Sequence, residues 1–256
     1  MNGTAEKLTV LRRSIARLSA DENHPRAPLG HGAADAALCG GLRLGALHEV
    51  YADASGDGAA AVGFAAALAA RTVPKTGWLF WIRQDFSALE YGELHAAGLL
   101  DLGLDPARVA MLKVADIDDA LRAAGDALAV RGMGAVVIEA IGETKRLDLT
   151  ASRRLTLAAT EKGVTAILLR LNAEPDASAA ETRWIVRAGI SPPTEDRGAP
   201  VFDVELARNR HGLGGHWVME WRCDDRMFGE PAHSGAVAAA AFNRPDRTQA
   251  QFARAG

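Results

Sequence analysis

Lysine is scarce in this chain: of 29 lysines and arginines only five are lysine, at Lys7, Lys75, Lys113, Lys145 and Lys162, and the other 24 are arginine. Cysteine is scarcer still. Cys39 and Cys223 stand far apart in no metal-ligand spacing, so neither a disulfide framework nor a zinc module is expected, and a reduced, cytoplasmic setting fits. Positive charge is not in surplus either. The 29 cations face 32 anions for a net charge of -3, which gives no overall field toward nucleic acid or an anionic membrane. Long apolar runs are missing too: the longest, Ala59 to Ala70, is twelve residues, short of the roughly 20 that span a bilayer. The opening MNGTAEKLTVLRRSIARL lacks the apolar stretch and cleavage site of a secretory signal. No G-x-S-x-G, H-E-x-x-H or C-x-x-C occurs, so the familiar hydrolase, zinc-protease and thiol-redox signatures are absent.

What is present is ordinary globular composition: 256 residues, 48% hydrophobic and 24% charged. One main core of about 200 residues with flanking tails is the expectation. Leu8, Leu11, Ile15 and Leu18 recur at spacings of three and four, the stripe of an amphipathic helix over residues 1–22. Lys7, Arg12, Arg13 and Arg17 fill much of its remainder. Such a helix either docks on a partner or packs on its own domain. DENHPRAP, with two prolines, then reads as a linker, so residues 23–44 are expected to be a linker and lead-in segment.

Beyond it, strand-like and helix-like segments alternate. Gly45–Tyr51, Gly77–Ile82, Arg108–Lys113, Gly134–Glu139 and Val164–Leu171 read as strands. Between them come an Ala-rich helix to Arg71, a helix opening at Ser87 with Glu90 as its capping box, and helices Asp116–Val130 and Thr150–Lys162. GAVVIE and VTAILLRL do not alternate, which places them in a sheet covered on both faces. The expected fold is α/β with a mostly parallel central sheet. After residue 180 the style changes to strands joined by short turns, at Thr182–Ala188, Val201–Asn209 and His216–Arg222, an antiparallel extension. Trp217, Met219 and Trp221 share one face of the last strand. The core is thus placed at 45–223, and 224–256 is expected to be a mobile tail with a short helix near Gly235–Phe242.

In such sheets the loop from the first strand to the first helix is the usual phosphate site. Here it is ADASGDGAAA. A working G-x-x-x-x-G-K-[ST] loop needs Gly for close backbone approach, Lys on the terminal phosphates and a hydroxyl on Mg²⁺. With Gly58 as the second glycine, Asp53 stands at the first, Ala59 at the lysine and Ala60 at the hydroxyl; shifting by one residue does not repair it. Asp53 and Asp57, flanking Ser55 and Gly56, put like charge where a polyanion must sit. Only Lys113 and Lys145 follow strands at this end of the sheet, and Lys75 lies beyond the far end of the helix. AVVIEA has the form of a Walker B strand with Glu139 in place of Asp. Without a phosphate cradle Glu139 is expected to be a solvated strand-end acid.

In order, the helix LTVLRRSIARL, the lead-in GGLRLGALHEVY, the lysine-free loop, GMGAVVIEAIG and FDVELARNRHGLGGHWVMEW resemble the ImuA family of RecA-like translesion mutagenesis accessory proteins, in its alphaproteobacterial form, over most of the chain. The resemblance implies a RecA-like P-loop fold with a degenerate Walker A loop. It also implies a role in the SOS response to DNA damage, through contacts with RecA, with ImuB and with an error-prone replicative-type DNA polymerase subunit. The family is not known as enzymatic, so no catalytic residue, metal or cofactor is expected, and DNA contact, direct or indirect, stays open.

Arg208, Asn209, Arg210, His211 and Gly212 resemble the K-N-R-F-G box of RadA-type relatives, with Arg for Lys and His for Phe. Arg208, Asn209, Arg210, His211 and Arg222, together with His216, form a candidate DNA or partner patch, or else a solvated Arg-rich hairpin. Arg153 and Arg154 are expected to face solvent, and Trp78 and Trp81 to be core. Two other readings stand beside the adaptor. An ATP-dependent RecA/RadA-like repair ATPase needs the missing lysine. A SulA-like cell-division inhibitor shares the core but is shorter and lacks the first helix.

Overall fold

The computed structural model describes residues 24–191 and 198–231. The helix expected over 1–22, with Leu8, Leu11, Ile15 and Leu18, and the segment Gly235–Phe242 lie outside the described residues.

Residues 24–44, expected as linker and lead-in, carry regular structure. Strand β1 (Arg26–Ala27) pairs antiparallel with β2 (Leu42–Arg43), and the short helix α1 (Gly32–Ala37) lies between them. Leu29, Ala34, Leu38 and Leu42 are buried in the main core. The two prolines and polar residues of DENHPRAP thus lead into a packed segment, which the apolar residues at 29, 38 and 42 anchor. Asp35 fastens it locally by accepting from the backbone N–H groups of Leu29 and Gly30 at 2.7 and 2.9 Å.

Next come β3 (Leu47–Ala52), α2 (Gly58–Thr72), β4 (Trp78–Gln84), α3 (Ser87–Tyr91), α4 (Ala96–Asp101), β5 (Val109–Val114), α5 (Ile117–Leu128), β6 (Met133–Ile141), α6 (Leu149–Lys162) and β7 (Thr165–Leu171). Strands β8 (Thr182–Ala188), β9 (Val201–Asn209), β10 (Gly215–Arg222) and β11 (Met227–Gly229) complete the order. Among the described residues nine strands form one sheet in the order β11-β10-β9-β8-β3-β7-β6-β4-β5. From β8 to β5 the pairs are parallel; from β8 to β11 they are antiparallel. This is the expected α/β sheet with an antiparallel extension.

Central strands β3 and β7 are buried along their whole length, His48, Glu49 and Arg170 included. Helix α2 covers one face. Its alanines let the helix axis lie close to the sheet, and Phe64 projects from it to meet Trp184, Phe202 and Phe228 at ring-centroid distances of 5.3 to 5.6 Å. Helices α5 and α6 cover the other face, with Leu128, Leu155 and Ala159 against Val136, Ile138 and Leu168. Asp116 and Asp148 cap these helices by accepting from Asp119 and Ala151 N–H at 2.9 and 2.8 Å.

Three local expectations are corrected. Ser87 does not cap its helix: the N-cap is Phe86, no side chain caps it, and the Ser87 side chain is buried. Trp78 is 43% exposed, because it begins its strand at the sheet rim, while Trp81 is fully buried. Ordered structure also passes Cys223, because Phe228 on β11 packs on Trp221 at 4.9 Å, so the tail does not start at Asp224.

A buried polar chain joins the lead-in segment to this sheet. Trp184 Nε1 donates to Thr182 Oγ1 at 3.0 Å, Thr182 Oγ1 donates to His48 Nδ1 at 2.8 Å, and His48 Nε2 donates to the Arg43 carbonyl at 2.9 Å. Burial drives the His48 pKa down to about 4, against the opposing pull of the Arg43 carbonyl. The unfolded chain therefore binds a proton that the native state refuses, so stability falls as pH drops from about 6.5 toward 4. Urea unfolding at pH 7 and pH 5 should show a loss of about 2 kcal/mol from this group, and a His48→Asn variant should show a shallower pH dependence. Equal pH slopes for the two proteins would disprove it.

Candidate functional site

Strand β3 ends at Ala52, and Asp53 N–H is already committed to the Val186 carbonyl of the neighbouring β8 at 3.0 Å. The Asp53 carboxylate takes both Nε and Nη2 of Arg187 at 2.8 and 3.1 Å, a two-pronged ion pair at the end of β8. That bond, ahead of the fields of Asp203 and Glu205, holds the Arg187 guanidinium even more firmly protonated than usual. Ser55 to Asp57 make a single 3₁₀ turn, and Asp57 Oδ1 accepts from Ala188 N–H at 2.9 Å. The two carboxylates of the loop thus fasten it to β8.

Helix α2 starts at Gly58, where a phosphate-binding helix would present its free N–H groups. The space above Gly58 is taken. The Tyr91 ring of α3 lies so close that a Cβ on residue 58 would overlap it, so glycine is required there by close approach. Burial first, then the carboxylates of Glu90 and Glu139, push the Tyr91 hydroxyl pKa up. Ala59 is exposed and Ala60 half-buried beside it, and neither carries a group that binds an anion.

Glu139, expected in solvent, is fully buried. Parallel register sets Arg83 of β4 beside it, and the two-residue period of a strand puts Trp81 on the same face. Arg83 Nη2 donates to Glu139 Oε1 and Trp81 Nε1 to Glu139 Oε2, each at 2.9 Å. Arg83 is itself 1% exposed, and its Nη1 lies 3.5 Å from Glu93 Oε2. Glu93 also accepts from Lys113, which keeps the Glu93 carboxyl below its ordinary range. So one of the two lysines at this end of the sheet is engaged by a carboxylate. Lys145 stands exposed beyond β6.

The C-terminal arginine box divides between scaffold and surface. Asn209 Nδ2 donates to the Ala37 carbonyl at 2.8 Å, pinning α1 against the sheet, and Arg208 Nη1 donates to the Ser178 carbonyl at 2.6 Å. Burial, with the nearby charges of Arg210 and Arg183, lowers the Arg208 pKa. His211 Nε2 lies 3.2 Å from Glu181 Oε1, and Arg210 is exposed. Arg222 does not belong to this group. It sits at the opposite end of β10 from the Gly212–Gly215 turn, roughly 20 Å away along the strand. The expected five-residue patch is therefore not one surface. Arg153 and Arg154 are exposed, as read from the sequence.

A second cluster escapes sequence reading. On the other face of the sheet Glu49 accepts from Arg183 at 2.7 Å, and the Tyr51 ring lies between the guanidinium groups of Arg170 and Arg183 at 5.7 and 5.4 Å. Burial and then Glu49 push the Tyr51 hydroxyl up to about 12. Arg83 and Arg170 each end an apolar strand, and that arginine at a buried strand end was the available signal. Among the described residues no three His, Cys, Asp or Glu side chains gather as a metal site, and no helix is long and apolar enough to cross a membrane.

A buried ion pair is costly to break on one side only. Glu139→Ala, which strands the Arg83 charge, should lose about 3 to 5 kcal/mol in urea unfolding. Pairing Arg83→Met with Glu139→Leu should recover most of it. Equal losses in the single and the double variant would show that the charges are not paired energetically.

No family model matches the chain. Among curated proteins it is similar to Protein ImuA of Caulobacter vibrioides strain NA1000 / CB15N and to Protein ImuA of strain ATCC 19089 / CIP 103742 / CB 15. Each is 35% identical over 197 residues, spanning 71% of this chain and 77% of the relative. Identity at that level over most of both chains places this protein in the ImuA family.

Proposed function

We propose that this chain is a non-catalytic, RecA-like adaptor of inducible translesion DNA synthesis, acting in the cytoplasm through contacts with RecA, with ImuB and with an error-prone replicative-type polymerase subunit. Membership of the ImuA family supports the setting in damage-induced mutagenesis. The parallel order β8-β3-β7-β6-β4 supports the RecA-like reading, with a phosphate-type loop after β3 and an acid at the end of β6.

One observation carries the absence of catalysis: the start of α2 is filled by the protein itself. Tyr91 covers Gly58, Ala59 and Ala60 replace the lysine and hydroxyl, and Asp53 and Asp57 hold the loop to β8. A nucleotide phosphate would have to displace an aromatic ring and then sit beside the Asp57 carboxylate and an Arg187 guanidinium already neutralised by Asp53, which electrostatics opposes. The Walker B position is equally committed, since both oxygens of Glu139 already accept hydrogen bonds from Arg83 and Trp81 and are closed off from Mg²⁺. The protein is thus read as a pseudo-ATPase that needs no cofactor and retains the scaffold for recognition.

Titration with labelled ATP and Mg²⁺ should give no saturable binding. Ala59→Lys alone should not create it, because Tyr91 and the Asp53–Arg187 pair remain. Tight ATP binding that is lost on Lys113→Ala or Lys145→Ala would overturn this reading. In pull-downs RecA and ImuB should be captured, and Leu11→Asp combined with Ile15→Asp should abolish capture without changing the melting temperature. If that pair of changes unfolds the domain, the first helix is internal packing.

A further inference from the structure

At the opposite end of the sheet from Glu139, a cavity of about 730 Å³ opens between the C-terminal end of α2, α4 and the start of β4. Its floor is apolar, with Leu79, Leu104 and Val109, and Leu100 stands on its rim 56% exposed. Four cations line it, namely Arg71, Lys75, Arg108 and Arg226, against the single carboxylate of Asp105. The acids Asp101, Asp224 and Asp225 line a neighbouring groove instead.

Helix-end electrostatics account for Arg71 alone, at the last turn of α2. Arg71 spends Nε on the Pro28 carbonyl and Nη1 on the Arg226 carbonyl. Burial disfavours its charge, with only the field of Asp35 opposing. Arg108 donates to the Thr76 carbonyl at 2.9 Å and is 4.0 Å from Asp105. Lys75 and the Arg226 side chain have no ion-pair partner among the described residues.

Arg226 is the most informative of the four. It turns the chain between β10 and β11 at φ 53°, a left-handed conformation that glycine or asparagine adopts far more easily. Its stem then lies against Gly103, where a Cβ would come within 2.8 Å of Arg226 Cδ. The fold thus holds a long cation in a disfavoured backbone state at the mouth of an apolar cavity, while Gly103 answers first to its own φ of 89°.

We infer that this cavity is a binding site for an acidic peptide of another protein, one that inserts an apolar anchor between Leu79, Leu104 and Val109 while its carboxylates meet Lys75, Arg108 and Arg226. Charge selects this occupant over the chain's own ends. Residues 1–23 carry Lys7, Arg12, Arg13 and Arg17 against Glu6, Asp21 and Glu22, and residues 232–256 carry three arginines against Asp246, so neither terminal segment is acidic. Single-stranded nucleic acid is disfavoured because none of the lining residues is aromatic, and sequence-tolerant strand binding relies on stacking. An apolar anchor framed by charge-assisted contacts is instead the form of a short peptide hot spot. The inference stands on the cavity and not on the adaptor reading. ATP binding would overturn that reading and leave this site intact, and failure here leaves the ATP result untouched.

The test uses the full chain and fluorescence anisotropy with a panel of short acidic peptides differing in one apolar residue, beside neutral peptides of matched sequence and a single-stranded oligonucleotide. An acidic peptide should bind, and more weakly as salt rises. Arg226→Gly combined with Lys75→Ala should weaken it about tenfold. Arg226→Gly alone should not lower the melting temperature, since it relieves the left-handed backbone, which separates loss of binding from loss of fold. Equal binding of neutral peptides, no effect of the substitutions, no binding across the panel, or oligonucleotide binding lost in the same variants would overturn the inference.

Discussion

The carboxylate of Glu139, buried between the Trp81 indole and the Arg83 guanidinium, is the constraint around which this end of the molecule is organised. An ion buried this fully must be matched in charge and in hydrogen bonds, or its desolvation outweighs any packing gained. Matching it consumes two side chains of β4 and brings the strand ends of β4 and β6 into one neutral unit. Glu93 reaches in to neutralise the outer edge of Arg83 and draws Lys113 with it. Tyr91, near enough for Glu139 to raise its pKa, then covers Gly58. The carboxylate at the end of β6 is thus part of a closed internal salt bridge.

The loop after β3 follows the same logic at lower cost. Asp53 and Arg187 form a partly exposed pair, in the class that contributes modestly to stability, so its role is to set geometry. Together with the Asp57 bond to Ala188 N–H it keeps the loop folded against β8 without any ligand. Stability resides elsewhere, in the apolar layer where Phe64, Trp184, Phe202, Trp221 and Phe228 meet. The loop and the apolar layer are therefore held by contacts within the chain itself.

Much of this architecture was legible from residue patterns, and the failures have physical causes. Thr182–Ala188 and Val201–Asn209 were read with the boundaries that the structure has, because alternation and flanking turns mark both ends. Apolar runs without alternation located β6 and β7. The lead-in segment was misread because proline and polar residues mark a change of direction equally in a linker and in a packed loop. Only contacts made far away in sequence, such as Asn209 on Ala37, decide between them. Glu139 was misplaced because its partner Arg83 lies on another strand, and pairing across a parallel sheet leaves no local trace. Arg222 was grouped with Arg208 because closeness in sequence ignores the length of a strand. Arg226 gave no signal at all, since its meaning lies in a backbone angle.

The lead-in segment has a further consequence for how the chain reaches this state. Phe228 N–H donates to the Leu29 carbonyl at 2.9 Å, and His31 meets Glu230 at 2.7 Å, so the two ends of the described core are joined directly. Leu29, Leu38 and Leu42 are made early and share their core cluster with Met219, Trp221 and Phe228 on the last strands. Such high-separation contacts slow folding and expose apolar surface meanwhile. During synthesis the parallel sheet has all its strands before β9, β10 and β11 exist, yet the layer around Phe64 cannot close. Completion of the fold thus waits for β11, and a nascent chain stopped short of Phe228 holds a formed sheet with an open seam.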